Sequence, residues 1–529
     1  MAAFVTDQFR IINTTNFVNS ISNAEDYYYI FVGLPNPNTP GFGRDVNWDG
    51  PDLINPQNAV LPNPTDNFDY LPHYGNTMLY GKRVVSENVR RCIRKIEWRQ
   101  GVKYDMYRHD YSVSNTTGVT DRSRLYDSNY YVMNSEYQVY ICISNGSTGI
   151  NSTGNQSQDQ PLFTDLEPSK AGVSGDGYVW KYLFTVPPGD IIKFDSTEFI
   201  PIPNNWSTST LPQIVSVREN GDSTINNNQI KFVYIDNPGS GYYTGEVNIV
   251  GDGSGGRVFI ETNEEGEIIN TTVTVGGSGY SYAMVDLGPL QSSDTLINPA
   301  KLIPIIPPSK GHGYDLYSEL GADKVLLYSR FDDSVKDFPT DTKFCEIGII
   351  KNPTEYSSTD LYTDDRFSAL GSLKIILTNQ QYPQIGEKIE QVLSDGSKSV
   401  AYVASFDKDT NVLKYFRDRS LYYNPSLYDQ TDYVGVSSIG NATLQFSTSV
   451  GSGNIKGLSS NFIASIDSSF TGITTTFQNK VISLDVSIVG GMANPEINKT
   501  SGDIIYLDNR PLIQRNSRQK EDIKIILEF

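Results

Sequence analysis

Residues 175–189 read Gly-Asp-Gly-Tyr-Val-Trp-Lys-Tyr-Leu-Phe-Thr-Val-Pro-Pro-Gly. Four rings, Tyr178, Trp180, Tyr182 and Phe184, fall on alternate positions, with Val179, Lys181, Leu183 and Thr185 between them. A period of two is the signature of a β-strand, so the rings share one face. Asp176-Gly177 supplies the turn that opens the strand. Pro187 and Pro188 lack the N–H that further ladder pairing needs. The following Ile191-Ile-Lys-Phe194 reads as the opening of a next strand. Four rings bury a large area, so this stretch predicts a β core, and the alternate face is the candidate for contact with another chain.

The rest of the chain repeats that grammar. Among 529 residues, Tyr (34) and Phe (23) are plentiful, Gly (44) and Pro (27) punctuate often, and only 19% are charged. Many short alternating runs between turn signals predict sandwiches or barrels with few short helices. Asp26–Gly33 is a strand of aromatic and β-branched residues, and Phe9, Ile12 and Phe17 suit a short helix. Residues 34–75, rich in Pro, Asn, Asp and Gly, read as a long loop able to wrap a neighbour. In 215–290, Pro238-Gly-Ser-Gly-Tyr242 is echoed by Gly276-Gly-Ser-Gly-Tyr280, which predicts a small β module with internal likeness. Residues 370–416 read as strand, turn, strand, turn, strand, and 417–495 as more exposed β structure. Asp522–Phe529 alternates to the last residue and is expected to be tied into a sheet.

Net charge is −19, which disfavours binding to phosphate-rich nucleic acid. No run approaches the ~18 apolar residues of a membrane span, and the first ten residues do not read as a secretion signal. Against this acidity stands one basic island, residues 82–103. Its Arg90, Arg91, Arg94, Lys95, Arg99 and Lys103 are the candidate face for an acidic partner, and a self-neutralised surface is the plain alternative.

Chemistry-bearing motifs are sparse. Cys92, Cys142 and Cys345 lie far apart, so neither a zinc site nor a disulfide framework is expected. Gly251-Asp-Gly-Ser-Gly-Gly256 is followed by a strand instead of a helix, so it is a turn and not a dinucleotide site. Residues 75–83 miss the phosphate-loop spacing, and Asp45–Gly50 begins like a calcium loop but has Pro56 where a bidentate Glu belongs. Of the three histidines, His109, beside Asp105 and Asp110, is the most reactive in appearance. No catalytic, cofactor-binding or metal residue is assigned, and no small-molecule substrate is expected.

At Gly175–Pro188 and at Gly502-Asp-Ile-Ile-Tyr-Leu-Asp-Asn-Arg-Pro511, the sequence resembles the baseplate wedge subunit family, gene product eight, of T-even-like contractile-tailed bacteriophages. Val5–Arg10, Asn16–Ile21, Ile347–Pro353 and Asp522–Phe529 agree in the same order. Tyr178, Trp180, Tyr182, Phe184, Tyr506, Asn509, Arg510 and Pro511 carry the resemblance. It implies a non-enzymatic virion protein of the tail baseplate, made in the host cytoplasm. Its partners would be a second copy of itself, as a homodimer, and other wedge proteins. In that role it brackets its neighbours and passes baseplate rearrangement on to sheath contraction. The expected architecture is mainly β, with a discontinuous sandwich or barrel core. Residues 1–214 form the first stretch of that core, 301–359 its second stretch and 496–529 the closing strands. Residues 215–300 and 360–495, which lack a counterpart in the family pattern, are inserted β modules. Two other readings stand beside it. A receptor- or carbohydrate-binding tail protein requires exposed aromatics in 234–282, and a tail-associated hydrolase requires acids converging on His109.

Overall fold

The computed structural model describes residues 6–33, 75, 78–222, 229–292, 298–332, 343–417, 444–514 and 519–529. The chain is mainly β and forms two compact units, each discontinuous in sequence. One comprises Met1–Val18, Val89–Leu327 and Ile525–Phe529; the other comprises Asn19–Asn88 and Tyr328–Lys524.

In the first unit, Tyr178–Thr185 is indeed a strand, paired antiparallel with Gln138–Asn145, which pairs in turn with Tyr131–Met133. The rings form its core. Trp180 is fully buried, stacked on Tyr178 at 5.3 Å and met edge-on by Tyr104 at 5.9 Å. Tyr182 packs edge-on against Tyr140, and Phe184 against Trp206. The alternate face is occupied too: Lys181 and Leu183 are buried, and only Thr185 is exposed. The strand stops where the prolines begin, but Ile191–Phe194 does not open a strand. It lies in a helix, Pro188–Phe194, with Pro187 as its extended N-cap and Pro188 inside the first turn. The first N–H groups of a helix lack partners anyway, so proline there loses nothing, and four apolar-rich residues do not by themselves select strand over helix.

The same unit holds the repeat. Val233–Asn237 pairs with Lys301–Pro304, while Ile268–Ser278, Ser254–Thr262, Gly245–Gly251 and Ala283–Val285 form a four-stranded sheet in that order. The two Gly-Ser-Gly-Tyr copies do the same work. Gly239, Gly241, Gly277 and Gly279 all have positive φ, between 60° and 83°, a conformation glycine adopts without strain. Each turn delivers a tyrosine into the module core, Tyr242 and Tyr280 being buried. The Tyr242 hydroxyl accepts from the Ala300 amide at 3.0 Å, and that of Tyr280 accepts from the Gly256 amide at 3.0 Å. Asp252-Gly253 forms the connection between two strands, as the turn reading of 251–256 requires.

At the N-terminus, Asp7–Ser22 is helical. Within the first unit Arg10 lies 3.7 Å from Glu528, and Phe17 packs 5.3 Å from the ring of Phe529. The Phe529 amide donates to the Asp323 carbonyl at 3.2 Å. The N-terminal helix therefore touches Glu528 and Phe529.

The second unit is built on a five-stranded sheet in the order Arg366–Ser368, Met78–Val84, Tyr28–Gly33, Lys343–Lys351, Asp503–Gln514. Its strands are drawn from both ends and the middle of the sequence. Tyr28 faces Lys351, and Ile349 faces Tyr506. Tyr29, Phe31, Met78, Ile350, Tyr362 and Phe367 form its core. Gly348 is obligatory there, because a Cβ would lie 2.3 Å from the Phe31 ring.

Beside this sheet in the same unit is a closed barrel. The strand–turn–strand run read from sequence appears as Lys388–Val392, Lys398–Asp407 and Val412–Phe416. Ile455–Gly457, Ile463–Ile466 and Gly371–Leu377 continue the circuit, and Gly371–Lys374 pairs back onto Val412–Tyr415 to close it. Closure removes free edges. Leu373, Ile389, Val403, Leu413, Ile455 and Phe462 fill the interior.

Candidate functional site

Of the basic island, Lys82 and Arg83 end the strand Met78–Val84, and residues 89–103 are one strand, Val89–Arg94, and the loop after it. The latter strand pairs with Phe199–Ile202 and with the beginning of Lys324–Asp332. That placement brings acids from far along the chain to the arginines. The Arg90 Nε donates to the Asp190 carboxylate at 2.9 Å, and its guanidinium lies over the Phe194 ring. Arg91 is buried with its guanidinium 3.7 Å from the Tyr317 ring centre. Its Nε and Nη1 find no hydrogen-bond partner, and burial lowers its pKa. Arg94 donates to the carbonyls of Ser128 (2.7 Å) and Tyr126 (3.3 Å). Lys95 is 2.9 Å from Asp195. Lys103 donates to the Thr153 hydroxyl at 2.7 Å. Arg99, 74% exposed, pairs loosely with the half-exposed Glu97 at 3.2 Å. Much of the island is thus spent inside the unit. What reaches the surface is an open groove of about 630 Å³ lined by Arg94, Lys95, Glu97, Arg99, Val102 and Phe199.

The other residues singled out fall as follows. Tyr178, Trp180, Tyr182 and Phe184 are interior. Tyr506, half-buried, donates to Asp508 at 3.3 Å, and Asn509, Arg510 and Pro511 lie in the same strand, Asn509 opposite Glu346. The His109 Nδ1 accepts the Ile306 amide at 3.2 Å. Asp110 is held by Arg108 at 2.6 Å, and Asp105 by the Val119 amide and the Thr120 hydroxyl. The acids flanking His109 thus have structural partners of their own. Cys92 and Cys142 are buried thiols, and burial pushes Cys92 up to about 12. Among the described residues no group of three or more metal-ligating side chains gathers, and no helix is long and apolar enough to cross a membrane. The loop 34–75, apart from Gly75, and the calcium-loop-like Asp45–Gly50 lie outside the described residues. Of the module's aromatics, Tyr243 and Tyr282 are exposed, while the repeat tyrosines are not.

Two buried ionisable groups carry no signal in the sequence. Lys181, in the middle of the ring-bearing strand, donates to the Leu166 carbonyl, and burial pulls its pKa down to about 8. Glu346, in the strand Lys343–Lys351 of the five-stranded sheet, has no hydrogen-bond partner for either oxygen, and burial raises its pKa well above the usual carboxylate range.

These features define a class: a β-rich scaffold whose aromatic strand is interior and whose basic strand is largely bound up by acids and carbonyls of its own unit. No family model matches the chain. It is similar to the baseplate wedge protein gp8 of Enterobacteria phage T4, 26% identical over 218 residues. The match covers 38% of this chain and 60% of that protein, so the chain spans somewhat under two thirds of its relative's length.

Proposed function

We propose that this chain is a structural, non-catalytic subunit of a phage tail baseplate wedge. The observation that carries the reading is the similarity to a wedge protein. It is supported by where the resembling segments sit: Ile347–Pro353 and Asp503–Pro511 are neighbours in one sheet, although about 150 residues separate them. The protein would pair with a second copy of itself and hold other wedge proteins, with the groove beside Arg94 and Arg99 as a docking face. Rigid sheets and a closed barrel suit a bracket that moves as a body when the baseplate rearranges, passing the change to sheath contraction. The barrel and the repeat module would be additions to the shared scaffold.

The test is location and copy number. Cryo-electron microscopy of intact virions should place the chain in the baseplate at six or twelve copies. Particles made without it should lack a complete baseplate. Absence from the particle, or a copy number unrelated to sixfold symmetry, would refute the reading.

A further inference from the structure

In the second unit Gly472–Phe477 and Lys480–Ile488 form a hairpin that is a sheet of two strands. Gln478 and Asn479 close it as a two-residue turn with positive φ at both positions, 46° and 64°, as a type I′ turn requires. The base of the hairpin is anchored: Leu484, Val486 and Ile488 pack with Val412 of the barrel. Away from that anchor the side chains are exposed. Ile473 and Val481 are 57% and 73% exposed, with Thr474 and Thr476 exposed beside them. A two-stranded sheet is marginal alone and gains from further strands.

The outer edge of Gly472–Phe477 is open. In the ladder Phe477 faces Lys480, Thr476 faces Val481, Thr475 faces Ile482 and Thr474 faces Ser483. The pair that closes a two-residue turn exchanges both its hydrogen bonds, and bonded pairs alternate along an antiparallel ladder. Thr475 therefore bonds inward to Ile482. Thr474 and Thr476 turn their N–H and C=O groups outward, where no described strand pairs with them. Proteins blunt such edges with charge, proline, brevity or cover, and other edges of the described sheets follow that rule. Phe199–Ile202 contains Pro201, Lys520–Glu528 is rich in charge, and Asp503–Gln514 carries Asp503 and Asp508. The uncharged Ile268–Ser278 is covered, the Ile230 amide donating to the Gly276 carbonyl at 3.0 Å. Gly472–Phe477 has no charge, no proline and, among the described residues, no cover.

We infer that this edge pairs with the same edge of a second copy of the chain, antiparallel about a twofold axis at Thr475. The edge is self-complementary. Thr474 of one copy exchanges a pair of hydrogen bonds with the partner's Thr476, and the symmetric contact adds the same pair again. The two Thr475 side chains face each other, and the two hairpins become a four-stranded sheet with an Ile482 on either side of them. A charged partner strand would meet nothing to neutralise it along Ile473–Phe477. The chain's own edge instead brings three threonines, a residue that pairs well with its own kind across strands. At net charge −19 two copies repel over most of their surface, which favours contact where charge is absent. The inference deepens the pairing with a second copy proposed above and rests on it.

The experiment is mild oxidation of full-length Thr475→Cys, read on non-reducing gels with the parent as control, together with analytical ultracentrifugation of the parent and of charge variants. Thr475→Cys should form a disulfide-linked dimer, because the two positions lie directly opposite each other. Val481→Cys, more exposed but on the outer strand, should not. The parent should dimerise reversibly. Thr475→Lys sets like charges face to face and should weaken the dimer about fivefold or more with an unchanged melting temperature. Mixing it with Thr475→Glu should restore the parent affinity. A monomeric parent, cross-linking of Val481→Cys as strong as that of Thr475→Cys, or full dimerisation of Thr475→Lys overturns the hairpin contact. A dimer that persists without a Thr475→Cys cross-link leaves pairing with a second copy standing and overturns its placement here. Location in the virion is read separately, so the wedge reading and the hairpin contact fail independently.

Discussion

Replacing Trp180 by alanine puts the ring-bearing strand of the first unit under test. The indole is fully buried and stacked on Tyr178. An aromatic side chain buries roughly 150–250 Å², which at about 25 cal/mol per Å² amounts to about 4–6 kcal/mol. One feature reduces the loss. The Trp180 Nε1 is buried without a hydrogen-bond partner, and removing such a donor returns about 1–3 kcal/mol. The net expectation is a destabilisation of about 3 kcal/mol, at the lower end of the roughly 3–5 kcal/mol seen for large aromatic deletions. Trp180→Phe keeps a ring in place and removes the unpartnered N–H, so it should lose under about 1.5 kcal/mol. The assay is urea unfolding followed by tryptophan fluorescence, since Trp98 and Trp206 remain in the same unit. With a slope of about 2–3 kcal/mol/M, the alanine variant should shift its midpoint down by roughly 1–1.5 M. A shift no larger than that of the phenylalanine variant would refute the reasoning. Normal folding combined with failure to assemble would make Trp180 an interface residue instead.

Further expectations follow from individual groups. The Lys181 pKa lies at about 8 in the fold against roughly 10.4 in an unfolded chain. The unfolded state therefore binds more protons between those values, and stability should rise with pH by about 2 kcal/mol from pH 8 to 10; Lys181→Met should remove that rise in chemical unfolding at fixed pH values. Gly371→Ala would set a methyl group against the Tyr415 ring and should destabilise the second unit by about 1–3 kcal/mol, measured by calorimetry. Arg91→Met replaces a buried guanidinium whose Nε and Nη1 lack partners, so it should leave stability within about 1 kcal/mol of the parent or raise it, again by urea unfolding. Charge reversal at the exposed Arg99, Arg99→Glu, should leave the urea midpoint unchanged while lowering incorporation into virions; unchanged incorporation would remove the groove from the docking surface.

What can be read from the sequence is what is written locally. The Tyr178–Thr185 alternation, the paired Gly-Ser-Gly-Tyr turns and the 388–416 meander each carry their period and turn residues within a short window. The Pro188–Phe194 helix escapes such a reading because a proline pair ends a strand and starts a helix equally well, and four residues hold no period. The fate of the basic island is hidden for a different reason. Asp190 and Asp195, which neutralise Arg90 and Lys95, lie 100 residues further on, and only the strand pairing of Arg94 with Phe199 brings them close. Barrel closure is of the same kind, since it joins Gly371–Lys374 to Val412–Tyr415.

The interleaved sheet also sets a timetable for biosynthesis. Tyr28–Gly33 leaves the ribosome early, yet its neighbour Lys343–Lys351 follows some 300 residues later, and Asp503–Gln514 later still. At the roughly 5–20 residues per second of translation, the first strand waits on the order of 15–60 s for its first partner from that side. A nascent chain cut short before residue 503 has an open strand flank and no means of covering it. Co-translational shielding by chaperones, or very fast elongation, would then decide how much soluble protein a cell obtains, well before any partner is met.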